Sequence, residues 1–171
     1  MSIRTIMIVP EFENMEIIDR IREKYDPLAQ LVRPHITLVF PFENQMSNSE
    51  IAEVLERRLK NIKPFHLVMK GICRQSDRFG HYLFLEMIEG TIEIYFIHQN
   101  FYDNEFKEYD LGMTYKPHMT IGKLATAELL NKAYEEIKNM NEIFKTVVNK
   151  ISVEMIGEND ESIIVVEKQL D

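Results

Sequence analysis

One short pattern occurs twice in this chain, and it limits the possible folds more than any other feature. Residues 33–40 read RPHITLVF and residues 116–123 read KPHMTIGK. Each runs basic residue, proline, histidine, apolar residue, threonine, apolar residue, and the two histidines, His35 and His118, stand 83 positions apart. Any fold for this chain must place two equivalent strands, and an internal duplication does so most simply.

The surroundings of the two copies support that view. Ile3 to Val9 is β-branched and stops at Pro10, as a strand does, and Asn14 to Tyr25 carries apolar residues at helical spacing with Asn14 placed to cap it. After the first motif come a helix from Ser47 or Ser49 to about Leu59, then strands at Phe65 to Cys73 and His81 to Met87 joined through residues 76–80. A third helix is expected from Thr91 to about Phe106, although IEIYFI fits a strand as well. The second motif follows, then a helix from Thr126 to Met140 with Ala127, Leu130, Ala133, Tyr134 and Ile137 as its stripe. Phe144 to Ile156 and Ser162 to Val166 read as a closing hairpin around residues 157–160. Phe65 falls 30 residues after His35 and Phe144 falls 26 after His118; His81 and Ser162 fall 46 and 44 after them. The expected fold is α+β, with two pseudo-symmetric lobes, each an antiparallel sheet with helices packed outside, and a groove between them. No linker-like tract divides the halves, so residues 1–171 are expected to form one bilobal domain.

Composition narrows the function. A chain of 171 residues with 45% hydrophobic and 28% charged side chains fits an ordinary globular domain. The net charge of −8 argues against a broad basic surface for long nucleic acid, so a nucleic-acid substrate would be met at an end or as a small fragment. A single cysteine, Cys73, offers neither a disulfide nor a thiolate metal cluster, and no stretch has the length of a membrane span. A monomer in the cytoplasm, without membrane attachment, is the expectation.

Strand periodicity puts His35 and Thr37 on one face and Ile36, Leu38 and Phe40 on the other. In the second copy His118 and Thr120 share a face opposite Met119 and Ile121. Two imidazoles supply an acid and a base near neutral pH. Two hydroxyls supply donors to non-bridging phosphate oxygens, and the set suits in-line displacement at a phosphodiester without a metal or other cofactor. The motifs hold no third ligand for zinc.

These residues resemble the two H-x-T/S-x signatures of the 2H phosphoesterase superfamily, which includes 2′-5′ RNA ligase-like proteins and cyclic phosphodiesterases. PHITLVF and PHMTIG carry the resemblance, and KYDP before the first motif is similar to the small bacterial phosphoesterases. It implies a metal-independent 2′,3′-cyclic phosphodiesterase or a reversible 2′-5′ ligase acting on a small phosphorylated nucleotide or RNA end. His35 and His118 would be acid and base, and Thr37 and Thr120 would bind the phosphate. A groove that binds a nucleotide without turning it over is the alternative from a different class.

Further residues are candidates for lining the cleft. Arg33 and Lys116 precede each histidine by two, Lys123 replaces the first copy's Phe40, and Phe40, Phe42 and Tyr115 flank the motifs as candidates for stacking on a base. His66, His81 and His98 have no counterparts between the halves and are expected to be structural or exposed.

Overall fold

A computed structural model describes residues 2–171. The chain runs β1 (Ser2–Ile8), α1 (Met15–Tyr25), β2 (Ile36–Asn44), α2 (Asn48–Leu59), β3 (Phe65–Asp77), β4 (Gly80–Glu89), α3 (Thr91–Tyr102), β5 (His118–Leu124), α4 (Ala127–Ile137), β6 (Phe144–Val148), β7 (Lys150–Ile156) and β8 (Ser162–Gln169). The strands form two antiparallel four-stranded sheets, one in the order β2-β1-β7-β8 and the other β5-β4-β3-β6. This is the expected α+β, two-lobed architecture.

The duplicated units exchange strands. β3, which closes the first unit, pairs with β4 of the second, and β7, which closes the second, pairs with β1 of the first. Each histidine-bearing strand thus lies at the edge of its sheet, beside β1 or β4. Sheet position makes β4 the counterpart of β1, whereas offsets from the histidines alone match it to β8. The offsets mislead because they count spacing and not pairing: β4 is bonded on both sides, and β8 only to β7.

Phe144 to Ile156 is two strands, not one. β6 pairs with β3 and β7 with β1, so the chain steps between sheets at Asn149. In the β3–β6 ladder Phe65 opposes Val148 and Met69 opposes Phe144, with Leu67 opposite Thr146 at the centre. Equivalent segments of the two units therefore meet antiparallel about a local two-fold.

The ambiguous IEIYFI segment is helical. Ile94, Ile97, His98, Phe101 and Tyr102 are buried at helical spacing, while Ile92, Tyr95 and Phe96 face outward. Gly90 starts the helix at φ 97°, where a Cβ would lie 2.9 Å from the His66 carbonyl. The helix stops at Tyr102 and the chain tightens into a 3₁₀ turn at Lys107–Tyr109. Two smaller expectations are corrected. Asn14 does not cap α1 through its side chain; its amide donates to the Ile143 carbonyl instead. Ala127 is exposed, and α4 buries Leu130 and Ala133.

Ser47 caps α2 in a full capping box with Glu50. Ser47→Ala is expected to cost about 1 kcal/mol, measurable as a lower denaturation midpoint at unchanged m-value.

Candidate active site

The two edge strands β2 and β5 come together between the sheets, with α1 packed on β5 and α3 on β2. The Tyr115 hydroxyl donates to the Thr37 carbonyl at 2.7 Å and ties the approach to β5 onto β2. The charge of His35 acts on His118 and disfavours its protonated form.

The shared proline explains how each ring is aimed. Proline holds the residue before it in extended backbone. In both copies the carbonyl of that residue meets the histidine ring: His35 Nδ1 lies 2.8 Å from the Arg33 oxygen and His118 Nδ1 2.7 Å from the Lys116 oxygen. A carbonyl only accepts, so Nδ1 carries the proton in each ring and Nε2 is left for chemistry. The basic residues at these positions thus contribute first through their backbones, a role the sequence hides.

A second repeated device follows each threonine. Thr37 pairs with Met7, but the next pair is Val39 with Ile6, so Leu38 is an extra residue. Thr120 pairs with Phe84 and Gly122 with Leu83, so Ile121 is extra in the same way. Such bulges re-aim a strand and cluster near sites of chemistry. They also correct the simple alternation. Leu38 and Val39 are buried in succession, and Phe40 turns back to the Thr37 side, where it lines the cleft instead of the core.

A cavity of about 510 Å³ opens beside Thr37, His118 and Thr120. Its walls come from β3 and β4 (Cys73, Tyr82, Phe84), from α3 (His98) and from residues 110–117. His35 does not line it. Of the other candidates, Lys116 and Tyr115 line the cavity. Lys123 stands beside it, its ammonium over the Tyr82 ring at 5.6 Å. Arg33 does not line the cavity; it is exposed and 3.7 Å from Glu11. Phe42 is a correction: it is buried, with its ring 4.8 Å from that of Phe106, because the second register shift in β2 returns it to the core.

His98, expected to be structural, is buried and hydrogen-bonded through Nδ1 to the Leu38 carbonyl at 2.8 Å. It also forms part of the cavity wall, its ring stacked on Tyr115 at 3.5 Å and 5°. The His118 ring is likewise stacked at 3.7 Å on Phe84, a residue with no sequence signal of its own.

Burial lowers the proton affinity of His35, His98 and His118 below the ordinary imidazole value. The carbonyl acceptors at Nδ1 oppose this in part, and at His118 the charge of His35 adds to the lowering. An imidazole whose folded pKa is depressed binds protons better when unfolded. Stability is therefore complete above about pH 6.5 and falls as the pH drops from there toward the folded values. Carboxylates act lower on the scale. At Glu105 burial works upward, but Arg58 and Arg57 outweigh it and hold the group at about 2. A thermal scan from pH 8 to 5 is expected to show Tm falling below pH 6.5, and a flat profile would contradict the imidazole assignment.

Two sheets about a local two-fold, each presenting a His-x-Thr edge strand at one cleft, define the class of 2H phosphoesterases. Residues 9–159 match the 2′-5′ RNA ligase superfamily, and the chain belongs to that family. A Bacillus mycoides (strain KBAB4) protein named "Putative phosphoesterase" is 31% identical over 125 residues, 72% of this chain and 71% of that one. A Bacillus cereus (strain B4264) protein of the same description matches equally. Among solved structures, E. coli LigT complexed with 3′-AMP superposes with a TM-score of 0.65 at 13% identity, covering 99% of this chain and 98% of LigT. A structure described as a phosphoesterase gives 0.66 at 12% identity, covering 99% of both chains. Together with the site, these relationships make the protein an enzyme of the 2H phosphoesterase type.

Proposed function

We propose that this protein hydrolyses 2′,3′-cyclic phosphates or 2′-5′ phosphodiester bonds in nucleotides or RNA ends, by two-histidine acid–base catalysis without a metal or other cofactor. The observation that carries this reading is the paired tether. Both imidazoles are held at Nδ1 by a backbone carbonyl, which leaves two Nε2 atoms to act on one phosphate. In hydrolysis one imidazole removes a proton from water as its oxygen bonds to phosphorus. The other imidazolium gives its proton to the departing ribose oxygen as that P–O bond breaks. Water is consumed and a nucleoside monophosphate is released. Thr37 and Thr120 donate to the non-bridging oxygens while charge builds there. The whole chain acts as one bilobal domain, because each sheet needs strands from both units.

Ligation is the same path with a ribose hydroxyl in place of water, and the family's name favours keeping it. The 3′-AMP in the LigT crystal is a ligand of the kind that hydrolysis would release. Purified protein in EDTA should convert 2′,3′-cyclic nucleotides or a 2′-5′ dinucleotide to monophosphate or nucleoside products. No product from either overturns the proposal, and joining without hydrolysis selects the ligase.

A further inference from the structure

The local two-fold predicts two equivalent recesses, one beside each threonine, yet the face beside Thr37 is closed and the face beside Thr120 is open. Beside Thr37 the cleft face of the first sheet carries Met7, Ser152, Thr5 and Glu154, and all four are at most 4% exposed. The equivalent places beside Thr120 are held by Phe84, Cys73, Tyr82 and Gln75, which line the open cavity. For a group attached to a phosphate between the histidines the larger recess is on the His118 side, about 510 Å³ against about 260 Å³ for the one around Val9 and Lys150 at the end of the first sheet.

The walls of that room describe its guest. They include six phenylalanine and tyrosine rings, of which Tyr82 and Phe84 are stacked at 5.6 Å and 16°. Flat apolar walls beside a phosphate site suit a nucleobase. The charge is unusual for a phosphate enzyme: Asp77, Glu86 and Asp110 face the cavity with Lys116 as the one lysine. Two of these carboxylates are already engaged. Asp77 accepts from the Phe79 amide and the Gln75 side chain, and Asp110 from the Gly112 amide. Glu86 differs. It sits opposite His118 on the neighbouring strand and forms no ion pair among the described residues. The Cys73 thiol close by is pushed up to about 11, by burial first and by Glu86 second. That thiol stays protonated, and the half-buried Glu86 carboxylate, on the cavity wall opposite His118, keeps lone pairs free to accept from a ligand.

We propose that the cavity beside His118 is a subsite for a nucleobase with a hydrogen-bond-donating edge, read by Glu86, on a ligand that carries a single phosphate. It rests on the reading of the phosphate site given above and adds its selectivity. Guanine offers a carboxylate two parallel N–H donors, adenine and cytosine one amino group, and uracil a single N–H flanked by carbonyls. The order of affinity follows: guanosine first, uridine last. A second phosphate meets Asp77 and Asp110 and is disfavoured.

Titration calorimetry with the four nucleoside 3′-monophosphates tests this without any turnover. Guanosine 3′-monophosphate is expected to bind at least about tenfold tighter than the uridine compound. Glu86→Gln should bring the two within about threefold, while Glu86→Asp, which keeps the charge, retains the order. Guanosine 3′,5′-bisphosphate should bind about tenfold more weakly than the monophosphate. Equal affinities in the wild type, an order unchanged in Glu86→Gln, tighter binding of the bisphosphate, or no binding of any of them overturns the proposal. Base preference without hydrolysis would leave the subsite and remove the reaction; hydrolysis without base preference would do the reverse.

Discussion

His118→Ala and His35→Ala are each expected to lower kcat on a 2′,3′-cyclic nucleotide by about 10³-fold, within the range for loss of one general acid or base. At 1.36 kcal/mol per factor of ten, that is about 4 kcal/mol of barrier. The double variant should lose little more, because two groups acting in one proton-transfer step do not contribute independently. In the wild type kcat/KM should trace a bell. Its acidic limb reports the base, which must be neutral, and its basic limb the acid, which must be protonated. Burial lowers both imidazoles, so the bell is expected to centre below about pH 6.5. Activity that survives either substitution, or climbs steadily with pH, would refute the roles given to the histidines.

Phe144→Ala is expected to destabilise the fold by about 3–5 kcal/mol. Phe144 is fully buried, packs its ring 5.7 Å from that of Phe12, and opens the strand that meets β3 about the local two-fold. The loss is a large part of the roughly 5–15 kcal/mol that holds a domain of this kind together. Urea denaturation read by circular dichroism gives the value. A change below about 1 kcal/mol would mean that the sheets do not depend on packing at this junction.

The histidine strands were legible in the sequence because their evidence is local. Proline, histidine and threonine sit in fixed order, and an apolar partner set at period two gives the face. The α2 helix was legible for a similar reason, with a capping serine and four apolar residues on one stripe. What was hidden depends on partners distant in the chain. Nothing in Phe42 or Phe40 tells which of them faces the cleft, because a bulge set by pairing with β1 decides it. Phe84, Glu86 and Cys73 read as ordinary strand residues until β4 is placed beside β5 and β3. The division of Phe144–Ile156 into two strands was invisible because both parts have strand composition and no glycine or proline separates them. The carbonyl tethers had a signal, the proline before each histidine, whose meaning lies in backbone direction and not in side-chain type.

The exchange of strands between the two units also bears on how the chain comes into being. Thr5 finds its neighbour Glu154 only near the end of the sequence. While the protein is being made, β1 and β2 can form no more than a two-stranded ribbon, which is marginal in water. The second sheet can begin to assemble from β3, β4 and β5 while the first still waits for β7. His35 would then be the last of the two histidines to reach its final surroundings, and a chain interrupted before β7 would expose the edge of β1 to other chains.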